Sequence, residues 1–217
     1  MVLLAGVMNR RRLLQTILAS TVLSALGMPS ARATVVDAWT RDTLDAFTDT
    51  LIPGTKRYAG DTAVAGAAPG PGGADAGFTD LLLHPALALA PVLPGIATVL
   101  NTRAASYAVT RGIWLPPWLP AFVALSYSRR TAVVSDLFQP SDVDRQLWSV
   151  MALLSSLAFD AAAHLSTRQA IAEGHPGLLF LGFPPPGPDG LWRYPDHSYR
   201  RVLAAVHPHT TAEGSPP

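Results

Sequence analysis

The chain has 217 residues, 49% of them hydrophobic, enough for one domain to bury a core of its own and too apolar for general disorder. Its formal charge of +1 mixes two regions: Arg10, Arg11, Arg12 and Arg32 lie within residues 1–33, and removing those 4 from the 16 basic residues leaves 12 against 15 acidic ones. A net of −3 (12 minus 15) beyond residue 33 argues against nucleic-acid binding, and the lack of cysteine excludes disulfides, thiolate metal sites and thiol nucleophiles.

Asn9-Arg10-Arg11-Arg12-Leu13-Leu14-Gln15 follows the twin-arginine pattern: a polar residue, two arginines, any residue, two large apolar residues and a polar one. An uncharged stretch runs from Leu13 to Ala31, and Ala31-Arg32-Ala33 is an A-x-A cleavage site. Gln15, Thr16, Ser20, Thr21 and Pro29 leave the stretch only mildly apolar, so a cleavable signal is expected rather than a permanent membrane span. Residues 1–33 are thus read as a signal, carried by Arg10, Arg11, Leu13, Leu14, Ala31 and Ala33. The rest of the chain is expected outside the cytoplasmic membrane, periplasmic or extracellular. That route carries proteins already folded, often with a cofactor inserted or a partner attached.

Thr40 is the expected N-cap of the next helix, with Asp42 and Asp45 near its positive end and Leu44, Phe47 and Leu51 on one face. Pro53-Gly54 ends it. Asp42, Asp45 and Asp49, about one turn apart, read as a solvated face. Residues 53–74 are rich in Gly, Pro and Ala without apolar period, which predicts a surface loop that either contacts something or stays mobile. Asp75 or Ala76 opens a short helix through Phe78, Leu81 and Leu82, stopped before Pro85. Residues 92–110 are helical with a break expected near Pro94 and an inner face of Ile96, Val99, Leu100 and Tyr107. The run from Ile113 to Pro120 carries three prolines and cannot be a regular helix. Helical character resumes over 121–138.

Ser141 and Asp144 form a capping-box-like start to a helix over about 142–163. Leu147, Met151, Leu154, Ala158 and Ala162 share one face, with Trp148 and Phe159 beside it. Apolar nearly all round, this is the expected central helix. A further helix is expected at 166–173, ended by Gly174, and from His175 onward the chain is irregular, with a short helix possible at 197–206. The fold class is therefore all-α: residues 34–217 form one irregular helical bundle with long Pro/Gly-rich connections.

Candidate chemistry is sparse. Gly70-Pro71-Gly72-Gly73 lacks the preceding strand of a dinucleotide fingerprint, and Pro71 removes an amide that would hold phosphate. Asp196-His197-Ser198 cannot form a triad, because consecutive side chains diverge. His207 and His209, with His197 and His175, read as adventitious rather than as metal ligands, and His84 and His164 as packed or capping. No catalytic, cofactor-binding or metal residue is assigned. Trp114, Trp118, Phe183, Trp192, Tyr194 and Tyr199, set among prolines, admit three readings: a cover over the protein's own helices, a partner-docking surface, or the frame of a pocket for a small apolar ligand.

Phe47-Thr48-Asp49-Thr50-Leu51-Ile52-Pro53, followed after a Gly/Ala-rich gap by Ala74-Asp75-Ala76-Gly77-Phe78-Thr79-Asp80, resembles the opening of the gluconate 2-dehydrogenase subunit 3 (small-subunit) family. Gly182-Phe183-Pro184 and Gly190-Leu191-Trp192-Arg193-Tyr194-Pro195 are similar to that family's later G-Y-P region, and uncharacterised twin-arginine-exported relatives of the family share these features. The resemblance implies a helical accessory subunit without a redox centre. It would assemble with, stabilise and co-export an FAD-dependent oxidoreductase of the glucose-methanol-choline class, with FAD in the partner and the twin-arginine translocase as a transient contact. A stand-alone secreted protein that binds a small apolar ligand is the alternative.

Overall fold

The computed structural model describes residues 36–183, and among these every regular element is helical. Helix α1 spans Ala38–Leu51, α2 Phe78–Leu83, α3 Leu93–Thr110, α4 Ala121–Ala124, α5 Tyr127–Leu137, α6 Arg145–Ala161, α7 Thr167–Ala172 and α8 Pro176–Phe180. One compact unit ends at Leu181, and Gly182 begins a second. No described helix is long and apolar enough to cross a membrane. The expected signal residues, Arg10 to Ala33, lie outside the described residues. So do Trp192, Tyr194, Tyr199, the Asp196–Ser198 run, His207, His209 and the expected helix at 197–206.

The innermost position belongs to α1, which packs on α2, α3, α4, α5 and α6. Its residues Thr43 to Thr50 are all buried, polar ones included. Helix α6 instead buries one face, through Leu147, Trp148, Met151, Leu154, Ala158 and Phe159, while Leu153 on the other is 47% exposed. Phe47 stacks on Trp148 with ring centroids 5.6 Å apart, which locks the two helices at the centre of the core.

Most polar residues inside α1 find a partner or turn back on their own helix; the Thr48 hydroxyl is the exception, buried without a hydrogen-bond partner. The hydroxyls of Thr43 and Thr50 donate to the carbonyls of Trp39 and Ala46. Asp45 and Asp49 are fully buried, not on a solvated face. They are committed to the loop 53–74, which folds back onto the helix. Gly54 and Gly72 bring two strands of that loop so close that a Cβ on Gly54 would overlap the backbone of Gly72. Gly73 lies directly on Thr48, and its amide donates to the Ile52 carbonyl, 2.9 Å.

Several boundaries differ from expectation, each for a local reason. Helix α2 starts at Phe78, after Gly77 in the left-handed region, rather than at Asp75 or Ala76. The chain after His175, expected to be irregular, opens with α8, whose Leu178 amide is capped by the His175 ring. Asp37, not Thr40, caps α1, accepting the Thr40 amide at 2.7 Å. Pro94 does not break α3, because it sits in the first turn, where its missing donor is not needed. The stretch 121–138 is divided by extended backbone at Leu125 and Ser126. The capping box at Ser141 does not form: α6 starts at Arg145, and Asp142 instead accepts the amide of Asp144, 2.8 Å.

Candidate docking face

Helix α3 ends in a double hydrogen-bonded C-cap. Gly112 takes φ 63°, its amide reaches the Val109 carbonyl, and the Ile113 amide reaches the Ala108 carbonyl at 2.9 Å. This turn sends the chain off the helix axis into Trp114-Leu115-Pro116-Pro117-Trp118. The prolines fix φ along this stretch, so the segment is stiff without being helical. Trp114 and Trp118 are 73% and 70% exposed, and their rings meet edge to face at 6.0 Å. Two such rings in water on a rigid support form a prominent exposed aromatic feature. The reading of these two as a cover over the protein's own helices does not hold, since a covering side chain would be buried.

Beside the pair runs an open groove of about 440 Å³, walled by Trp39, Thr98, Thr102, Leu115, Pro117 and Leu119. Its polar groups are spent elsewhere. The hydroxyls of Thr98 and Thr102 donate back to Pro94 and Thr98 carbonyls, both at 2.8 Å. Asn101 gives its amide to Thr43 and Ala97 and accepts the Phe122 amide at 3.0 Å, which ties α3 to α1 and to the start of α4. The groove thus presents apolar wall rather than hydrogen-bonding groups. Trp39, 44% exposed, was not foreseen as part of this face; nothing in its local sequence distinguishes it from an ordinary first-turn residue. Phe183 is half-buried and belongs to the second unit.

A second constellation also went unseen in the sequence. Asp45 accepts from the Thr79 hydroxyl at 2.6 Å and from Arg57 at 2.8 Å. Asp61 receives Arg57 at 2.7 Å and the amides of Ala63 and Val64 at 3.1 Å. Asp49 accepts the Ala65 amide at 2.8 Å and the Gly54 amide at 3.4 Å, and faces Arg130 at 3.8 Å. Arg130 itself, buried, donates to the carbonyls of Leu125, Ala63, Thr62 and Val123. Even Lys56, the single lysine, is bound to the Asp61 carbonyl, 2.9 Å.

Burial pushes Asp49 above its usual range and Arg130 below its own, so their distant ion pair does not repay desolvation. Burial also raises Asp61, but the Arg57 hydrogen bonds and the Val64 amide outweigh it and hold that carboxyl low. Arg57 is raised, first by its bonds to Asp61. Every carboxylate oxygen here already has a donor, so the cluster clamps the loop and has no free group for acid-base work. Among the described residues no group of three or more His, Cys, Asp or Glu could hold a metal ion.

A family model described as "Family of unknown function (DUF5987)" matches residues 38–217. The chain belongs to this family. No curated protein and no solved structure matches it. The DUF5987 match begins at the first residue of α1 and takes in the tryptophan pair, the groove and the buried clamp, while leaving the Arg10–Arg12 segment outside.

Proposed function

We propose that this chain is a non-catalytic accessory subunit that docks on an FAD-dependent oxidoreductase through the Trp114–Trp118 face. It would stabilise that partner and leave the cell with it by the twin-arginine route. One observation carries the reading: two tryptophans more than two-thirds exposed, on a proline-stiffened turn, beside a mostly apolar groove whose threonine hydroxyls donate back to their own helix. Large aromatic side chains on a rigid support lose little entropy on association and contribute strongly once desolvated. The Phe47–Pro53 and Ala74–Asp80 segments support the choice of partner class through the family they resemble. In this reading the chain holds no cofactor, and FAD belongs to the partner. The complex acts on the outer face of the cytoplasmic membrane or beyond it.

The test is purification of the tagged chain from cells that make the flavoprotein, with a visible absorption scan. A yellow complex of defined stoichiometry, lost in Trp114→Ala/Trp118→Ala, is the expected result. A colourless chain recovered alone from those cells overturns the proposal. The groove volume favours one second reading, binding of a small apolar ligand, because about 440 Å³ lies in the range of small-molecule sites. Titration of the isolated chain with apolar fluorophores separates the two: saturable binding without a partner favours the ligand.

A further inference from the structure

Two imidazoles at the C-terminal end of the bundle take no part in the docking face. His164 lies between α6 and α7, His175 between α7 and α8, and their rings are 5.7 Å apart. Both sit on the turn that opens α2. His175 Nε2 is 3.1 Å from the Ala76 carbonyl. His164 covers Gly77, where an added Cβ would come within 2.7 Å of its Nε2. Helix α8 is pressed onto α6, with Gly177 against the Phe159 carbonyl and Phe180 edge-on to Phe159 at 6.1 Å.

Hydrogen bonding fixes where the protons are. The Leu178 amide donates to His175 Nδ1 at 3.4 Å, so the single proton of this buried ring sits on Nε2 and is given to Ala76. His164 Nδ1 is buried with no hydrogen-bond partner. A bare nitrogen is tolerable there, whereas an N–H would have no acceptor. On both rings, therefore, a second proton can go only to Nδ1. On His175 it would oppose the Leu178 N–H, and on His164 it would enter a site with no acceptor. The charged groups that face the pair are Asp80 on α2, His84 at its end and Glu173 after α7. Asp80 is exposed and engaged with Arg41 at 3.2 Å, and Glu173 accepts from Gln169 at 2.9 Å. Both carboxylates favour the charged form of His164, but burial and the neighbouring His175 outweigh them.

We propose that the His164–His175 pair is an acid-sensitive latch worked by His164: with that ring neutral, the pair holds α7 and α8 on α6 and the α2 turn, and protonation of His164 lets both helices go. Burial first, and the neighbouring His175 next, push His164 below its usual 6.5. A base held low in the folded state keeps its stabilising contribution above the unfolded value. It loses that contribution as pH falls below 6.5.

Hydrogen exchange of the full chain, read by mass spectrometry and corrected for intrinsic rates, tests this at about pH 7.5 and about pH 5, on either side of the ordinary histidine value. Amides of α7 and α8 should open several-fold more readily at the lower pH, while α1 stays unchanged. His164→Phe, which keeps a ring without a titrating nitrogen, should remove most of that response. His175→Gln, whose amide can still donate to Ala76, should weaken it, and His84→Gln should leave the response intact. Opening that is uniform along the chain, or that survives in His164→Phe, overturns the latch.

Discussion

Arg130→Met removes a cation that joins the loop 53–74 to the α4–α5 region. Methionine fills most of the volume but offers no donor to the carbonyls of Thr62, Ala63, Val123 and Leu125, and it leaves Asp49 without its facing charge. The Leu125, Ala63 and Val123 bonds are buried and the Thr62 bond part-buried, so at about 1 kcal/mol for each orphaned buried carbonyl the loss is about 3 kcal/mol or slightly more. Two corrections act in opposite directions. The guanidinium no longer has to be desolvated, while Asp49, already raised by burial, loses a favourable charge. The expected net destabilisation is therefore about 3–5 kcal/mol, the range found when one partner of a buried pair is removed. Urea unfolding followed by far-UV circular dichroism checks it: the midpoint should fall with an unchanged slope. Arg130→Lys keeps the charge but cannot fork toward several carbonyls, so a loss of about 2 kcal/mol is expected. A methionine variant within about 1 kcal/mol of the parent would refute the idea that this side chain anchors the loop.

Further outcomes are expected. Thr48→Val removes a buried hydroxyl that has no hydrogen-bond partner, and should be neutral or stabilising by about 1 kcal/mol in the same urea assay. Gly73→Ala should cost about 2 kcal/mol or more, because its Cβ would overlap Thr48 Oγ1, and Thr48→Ala should recover part of that loss in a double-mutant cycle. Asp61 is held below its usual 3.8, so the stability it supplies is present in full above that pH and disappears as pH falls through the depressed value. Asp61→Asn should flatten the urea midpoint against pH in this acid limb, at the cost of a lower plateau. Asp49, raised rather than lowered, works against the folded state as pH rises through its elevated value and so offsets part of the acid loss; Asp49→Asn should therefore steepen the acid limb. For the docking face, Trp114→Ala and Trp118→Ala should change stability by less than about 0.5 kcal/mol, as exposed positions do. Each should weaken partner affinity about 30-fold, measured by titration calorimetry.

The helices were legible because their apolar residues repeat at helical spacing, as Leu44, Phe47 and Leu51 do. Which helix lies innermost was not legible. Asp45, Thr48 and Asp49 make α1 look half-solvated, and only partners distant along the chain reveal that it is enclosed. The Arg130 bond to Ala63 spans 67 residues, and the Thr79 bond to Asp45 spans 34. No local pattern encodes such pairings. The loop 53–74 looked unanchored for the same reason, since its glycines serve close backbone contact rather than freedom. Trp114 and Trp118 could be picked out because proline excluded a helix around them. Trp39 joins them only through the packing of α1 on α3.

The central place of α1 has a consequence for how the chain is made. The ribosome releases this helix ahead of the other described elements, so α2 to α6 each emerge with the α1 part of their packing surface already synthesised. The acids on that surface wait briefly: Gly54, Arg57, Asp61 and Ala65 follow within the next stretch of chain and can close around Asp45 and Asp49 by local collapse. Arg130 arrives much later and fastens a loop already laid down. A fold assembled outward from its leading helix in this way leaves few unsatisfied charges at any stage of synthesis.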